Sequence, residues 1–214
     1  MYNDHEYLER KATTMLVGIC GKAGAGKDTI GNYLVEKYGF ERIALADPIK
    51  RLVKDVFVLD DHTVYDRNAR ELPLEQWNGW TVRKLLQYIG TELFRDHIDD
   101  KIWVKSLWYR IKDSKDNYVI SDLRFRNELE FFKDNAGKNF ISIKVIRPGH
   151  DGNVGIPGHA SEAYDLETEF KVYNDTTFEA LYSQIDEIMS GKQISKKDVQ
   201  KHGCFDILAK WFLS

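Results

Sequence analysis

Only two cysteines occur in the 214 residues, Cys20 in an apolar run and Cys204 near the end. Their separation matches no metal-ligand spacing, and so few thiols exclude a disulfide framework and fit a reduced, intracellular setting. No uninterrupted apolar run approaches the ~18 residues that span a bilayer, and the opening "MYNDHEYLERKATT" lacks the apolar core of a secretion signal. The cytoplasm is the expected location. Excess positive charge is missing too: 31 lysines and arginines against 34 aspartates and glutamates leave a formal charge of −3. Nonspecific binding to nucleic acid is therefore not expected, and an anionic ligand has to be met by local clusters. Internal repeats and low-complexity tracts are absent as well. What is present, 43% hydrophobic residues with 13% aromatic ones, suffices for one large domain with inserted parts.

The apolar run "MLVGIC" (15–20) ends in a glycine loop, as a strand buried on both faces would, and is predicted to be the central strand. Ile30, Leu34 and Val35 then recur at helical spacing up to Tyr38, with Gly39 as the stop. Further strands are predicted at 40–46, 118–122, 140–146 and 170–174. Asp47 reads as an N-cap before Pro48, and Thr81 as the cap of a helix with Val82, Leu85, Leu86 and Ile89 on one face. Residues 60–80 read as irregular, 99–113 as a helix, and "TTFEALYSQIDEIM" as a closing amphipathic helix. Five strands alternating with helices predict a parallel sheet flanked by helices. The stretch 47–116 is too long for one crossover and is predicted to form a helical lobe over the sheet's C-terminal edge, where ligands bind in such sheets. "RPGHDGNVGIPGH" (147–159) is either a mobile lid or an ordinary long loop, and the basic, then apolar, end at 190–214 is a candidate helix that packs on the body or on another chain.

"GKAGAGKDT", Gly21 to Thr29, nearly spells the phosphate loop G-x-x-x-x-G-K-[ST], with Asp28 in place of the hydroxyl. Between a buried strand and a helix, the backbone amides of Gly21, Lys22, Ala23, Gly24, Ala25 and Gly26 and the helix N-terminus would cradle phosphate, with Lys27 on the β- and γ-oxygens. This makes the chain an α/β protein of the P-loop type. Asp122, ending a strand, is expected near Mg²⁺, and it also suits a helix cap. A glycine three residues after Asp122 and an N-K-x-D motif are both missing, which disfavours a GTPase switch. Arg51, Arg83, Arg95, Arg124, Arg126 and Arg147 fall near strand ends and loops, a distribution suited to phosphoryl transfer between two anions.

In order, "GKAGAGKDT", "ALADPIKRL", "TVRKLLQYIGTELFR", "VISDLRFRNELE", "VIRPG", "HASE" and "YNDTTFEAL" resemble the bacteriophage deoxynucleoside monophosphate kinases, which are adenylate-kinase-like. The resemblance spans about 15–189. It implies one kinase domain (1–189; core 15–46 and 117–189, acceptor lobe 47–116, lid about 147–160), followed by a C-terminal helical extension (190–214). It also implies ATP as donor on Gly21–Thr29, Mg²⁺ near Asp28 and Asp122, and a deoxynucleoside monophosphate as acceptor. Carried over by position, Asp47, Lys50, Arg51, Arg83, Gln87, Thr91 and Arg95 hold the acceptor, joined by Arg126, Asn127, Glu128, His159, Ser161 and Glu162. Lys27, Asp122, Arg124 and Arg147 are the expected catalytic residues. Trp77, Trp80, Trp103 and Trp108 are equal candidates for packing against the sugar. The partners expected are small nucleotides, not nucleic acid or membrane; the resemblance suggests a homodimer, in the host cytoplasm if the source is a phage. Rivals are a P-loop kinase with a hydroxyl acceptor, such as dephospho-coenzyme A kinase, and an ATP-binding assembly protein without catalysis.

Overall fold

The computed structural model describes residues 14–149 and 166–191. β1 (Leu16–Cys20) leads through the phosphate loop into α1 (Lys27–Tyr38), which stops at Gly39, and β2 (Glu41–Ile43) follows. The lobe comprises α2 (Asp47–Val56), α3 (Asp61–Tyr65), a hairpin of β3 (Pro73–Leu74) and β4 (Trp80–Thr81), α4 (Val82–Gln87) and α5 (Ile102–Ile111). Then come β5 (Tyr118–Ile120), α6 (Arg126–Ala136), β6 (Phe140–Ile146), β7 (Phe170–Tyr173) and α7 (Phe178–Met189). The main sheet is parallel, in the order β2-β5-β1-β6-β7, so β1 is central as its apolar run predicts.

Period-two alternation sends the buried residues of β1 to two different cores. Leu16 and Cys20 join α2, α4, α5 and α6 on the lobe face, whereas Val17 and Ile19 join α1 and α7 on the other. Gly18 is small of necessity: a Cβ there would lie 2.3 Å from Leu123 Cδ1 and 2.8 Å from Phe140 Cε2.

Three sequence expectations are corrected. The second strand stops at Ile43 rather than 46, because the Asp122 carboxylate draws the chain off the sheet by accepting from the Leu45 and Ala46 amides, at 3.0 and 3.1 Å. Asp47 is the first helical residue and not the cap, and its carboxylate turns back to the Ala44 amide. The stretch 60–80 is ordered, with the β3–β4 hairpin closing against α4, a feature hidden by two-residue strands too short for any periodicity. Thr81 does cap α4.

One helix was expected to carry Arg83, Gln87, Thr91 and Arg95, but after α4 the chain widens into a π-helical segment, Tyr88–Arg95, with Asp96 N–H bonding Thr91 C=O. A four-residue step overshoots a full α-helical turn by about 40°. In the wider i→i+5 turn the same step falls short of a full turn, which reverses the drift. All four polar side chains therefore reach one stripe. Trp103 Nε1 donates to the Gly90 carbonyl inside this segment, at 2.9 Å.

Gly18→Ala is expected to destabilise the protein by ~1–3 kcal/mol through overpacking against Leu123 and Phe140. A urea unfolding midpoint equal to that of the parent protein would contradict this account.

Candidate active site

The phosphate loop keeps its shape through contacts that only small residues permit. Gly21 and Gly26 have φ of 145° and 108°, and a Cβ on Gly26 would meet Asn174 Nδ2 at 2.5 Å. Asn174, just after β7, donates through that Nδ2 to the Ala25 carbonyl at 2.9 Å, and Arg147 Nη1 donates to the Gly24 carbonyl at 3.3 Å. Lys27 Nζ donates to the carbonyls of Gly21 and Lys22, each at 2.8 Å. Burial depresses the Lys27 pKa, and nearby Arg124 depresses it further.

Asp28 turns away from the cleft. Its carboxylate, 71% exposed, forms an ion pair with Arg42 of β2, whose guanidinium also donates to Ser121 Oγ at 2.9 Å and Asn32 Oδ1 at 3.0 Å. Thr29 does not line the cleft either.

That cleft, of about 410 Å³, opens between the loop and the lobe at the C-terminal ends of β1 and β5. Among the described residues two carboxylates line it, and both are occupied. Asp122 holds the turn into α2; burial raises its pKa, against the opposing effect of the two amide donors. Glu128, 2% exposed, accepts from the Arg124 and Phe125 amides at 2.8 and 3.0 Å and forms an ion pair with Arg95. Its pKa is also raised by burial, with Arg95 opposing.

Against these two acids stand nine lysines and arginines. Some are steadied by acids: Arg83 pairs with Glu71, Arg95 with Glu128, and Lys50 lies 3.7 Å from Asp47. Arg67, Arg70 and Arg124 have no ion-pair partner among the described residues. Arg70 Nε is buried with no hydrogen-bond partner among the described residues, and burial, with Arg83 and Arg67 beside it, lowers its pKa.

Arg67, Arg70 and Lys144 were missed by sequence reasoning. Asp66 was the signal for the two arginines: its carboxylate caps the turn by accepting from the Asn68 and Ala69 amides, at 2.9 and 2.8 Å, and Ala69 is buried. Arg67 and Arg70 stand on either side of that buried alanine, and Lys144, in β6, had no such signal.

Gln87 and Thr91 line the cleft as the spacing implied, and of the four tryptophans Trp103 alone does so. Asp47, Arg51 and Arg126 do not line it. Asn127 faces away and donates to Asp100 at 3.0 Å. His159, Ser161 and Glu162, with most of the expected lid, lie outside the described residues.

Removing the buried acid strands a buried cation, so Glu128→Ala is expected to cost ~3–5 kcal/mol in urea unfolding. A loss below 1 kcal/mol would rule out that anchoring role. Burial also pushes the Cys20 thiol up to about 11, leaving roughly a thousandth of it as thiolate at pH 8. Iodoacetamide at pH 8 is expected to spare Cys20 in the native protein and modify it in urea, read by peptide mass mapping; equal rates in both would contradict its burial.

Comparison with known proteins agrees with this architecture. A family model described as deoxynucleotide monophosphate kinase matches residues 15–79 and 62–185. The chain is 36% identical over 184 residues to a protein named putative deoxynucleotide monophosphate kinase from Acanthamoeba polyphaga mimivirus, covering 80% of this chain and 94% of that one. It is 23% identical to the deoxynucleoside-5'-monophosphate kinase of Escherichia phage T5, over 67% of this chain and 86% of that one. Among solved structures, an adenylylsulfate (APS) kinase from Mycobacterium tuberculosis, in complex with AMPPNP and APS, superposes with a TM-score of 0.46 at 10% identity, over 83% of this chain and 98% of that one. With the family match running through loop, lobe and sheet alike, this chain belongs to the deoxynucleotide monophosphate kinase family.

Proposed function

We propose that this kinase transfers the γ-phosphoryl group of ATP to the phosphate of a deoxynucleoside monophosphate, with Mg²⁺, giving the diphosphate and ADP. The observation that carries this reading is the set of guanidiniums without an ion-pair partner among the described residues, Arg67, Arg70 and Arg124, in a cleft whose two described acids are already engaged. A phosphate acceptor, with its second pKa near ~6, is largely ionised at neutral pH and requires no protein base. A hydroxyl acceptor would favour a free carboxylate beside it, and among the described residues lining the cleft there is none. That argument disfavours the dephospho-coenzyme A kinase reading, and the family match disfavours a non-catalytic assembly protein.

In this reading Gly21 to Thr29 receive the donor phosphates on backbone amides and the N-terminus of α1. Lys27 exchanges the Gly21 and Lys22 carbonyls for β- and γ-phosphate oxygens. Arg124 and Arg67, both near enough to act on Lys27 electrostatically, bind the group in flight. Arg70, Lys50 and Arg83 hold the acceptor phosphate, and Gln87 and Thr91 offer neutral hydrogen bonds to its nucleoside. Arg95 and Glu128 fix the floor. Asp47, Arg51, Arg126 and Asn127 support the lobe without touching ligand. Arg147, with His159, Ser161 and Glu162, belongs to the closing segment.

Magnesium is commonly held by one or two carboxylates together with substrate phosphates. No cluster of three or more His, Cys, Asp or Glu among the described residues could hold it without phosphate. Asp122, on the cleft wall, fits as a contact through water, and Asp28 fits once it leaves Arg42. The metal would supply charge neutralisation between the two polyanions. Action in the host cytoplasm, which the viral source of the relatives supports, and as a homodimer completes the proposal.

Lys27→Ala is expected to lower kcat by at least ~100-fold. Arg70→Ala is expected to raise KM for the acceptor by ~10- to 100-fold, the worth of a charged hydrogen bond, while KM for ATP stays within twofold. The assay is coupled ADP release with a panel of deoxy- and ribonucleoside monophosphates and dephospho-coenzyme A. Stimulation by dephospho-coenzyme A alone, or by no member of the panel, would overturn the assignment.

A further inference from the structure

Gly90 lies inside the π-helical segment Tyr88–Arg95 and is held from two sides. On one side α2 packs so closely that a Cβ on Gly90 would stand 3.0 Å from Ile49 Cδ1. On the other, Trp103, the second residue of α5 and 6% exposed, donates its indole N–H to the Gly90 carbonyl at 2.9 Å. The same indole packs against Phe94, with ring centroids 5.1 Å apart, so it touches the segment at two points four residues apart. π-Helical turns are rare, occur mostly as short insertions in α-helices and concentrate at functional sites.

This clamp lies among the residues assigned to the acceptor. Gln87 precedes the segment, Thr91 directly follows Gly90, and Arg95 closes the segment on Glu128; all three line the cleft together with Gly90 and Trp103. Were 88–95 regular α-helix, each four-residue step would add about 40° and carry Thr91 and Arg95 progressively off the line of Gln87. Trp103 has a single polar atom, the Nε1 donor, and Gly90 takes it. Toward the cleft it presents only carbon, so its influence on polar recognition runs through the backbone that it holds. Gln87 and Thr91 supply the one side-chain amide and the one hydroxyl among the described residues lining the cleft. We propose that Trp103 is a positioning residue for acceptor recognition: its bond to the Gly90 carbonyl holds the turn that brings Gln87 and Thr91 to the same nucleoside. The inference rests on the acceptor reading above.

Trp77 provides an internal comparison. Its Nε1 donates to the Phe57 carbonyl at 3.0 Å, in the same lobe but outside the lining of the cleft. The two tryptophans make the same kind of bond, and that of Trp103 alone bears on the polar stripe.

The test is the affinity of the full chain for each deoxynucleoside monophosphate of the panel, measured by isothermal titration calorimetry without donor, and separately for ATP. Trp103→Phe keeps a ring beside Phe94 and drops the donor; it is expected to weaken the best-bound monophosphate by ~3- to 10-fold, the range of one lost neutral hydrogen bond. Its affinity for ATP, and both affinities of Trp77→Phe, should stay within about twofold of the parent chain, as distant sites do. A mutant cycle separates positioning from contact: in a Gln87→Ala, Thr91→Ala background, Trp103→Phe should weaken the monophosphate by less than about twofold, because the groups that the turn aligns are gone. An undiminished effect in that background would overturn the proposal, since the indole would then act on the ligand or on the lobe directly. Parent-like monophosphate affinity in Trp103→Phe would overturn it as well. If Trp103→Phe does not fold, as judged by its urea transition, a benzothiophene side chain placed at 103, with sulfur for the indole N–H, takes its place with the same expectations. Failure of the parent chain to bind any monophosphate would instead overturn the acceptor reading itself.

Discussion

Like charges crowd the cleft, and the fold has to hold them there before any ligand arrives. Two unit charges 4 Å apart at an effective dielectric of 20 repel by ~4 kcal/mol, so a cluster of nine cations can stand only on a rigid frame. The frame is made of acids placed behind the cations. Glu71 restrains Arg83, Glu128 restrains Arg95 while closing the first turn of α6, and Asp122 fixes the turn into α2. Lys27 rests on two neutral carbonyls, a looser restraint that phosphate oxygens can replace.

The central features were legible because each has a period or a fixed motif. A buried apolar run before a glycine loop implied β1 at the centre, and the strand and helix alternation implied the parallel order. Arg83, Gln87, Thr91 and Arg95 were legible as a polar stripe, yet the turn that aligns them was not. A π-helical segment has no compositional marker, and Gly90 and Trp103, which shape it, sit thirteen residues apart. Arg67 and Arg70 were missed because residues 60–80 lack hydrophobic periodicity. Their order comes instead from one side-chain cap at Asp66 and one buried alanine. Asp28 shows a different case: its place in the loop suggested a metal contact, and in this structure it pairs with Arg42, fourteen residues on in β2, a contact between α1 and the sheet that sequence does not disclose.

Asp122 illustrates how one residue can serve two neighbours. Lying two residues beyond β5 it reaches the cleft, and as an acceptor for the Leu45 and Ala46 amides it decides where β2 ends and the lobe begins. The lobe's base and the wall of the cleft consequently share this carboxylate. Its burial cost is offset by hydrogen bonds to the backbone rather than by an ion pair, which leaves the adjoining guanidiniums uncommitted.

Asn174 and Arg147 grip adjacent carbonyls of the phosphate loop, those of Ala25 and Gly24, from the C-terminal ends of β7 and β6. The two strands run in parallel on one side of β1, so the register of the sheet, and not the chain that joins the strands, sets where both grips fall. The loop is thereby held from its flank by the sheet edge, and a change of length in the joining chain disturbs neither contact as long as the pairing of β6 with β7 stands.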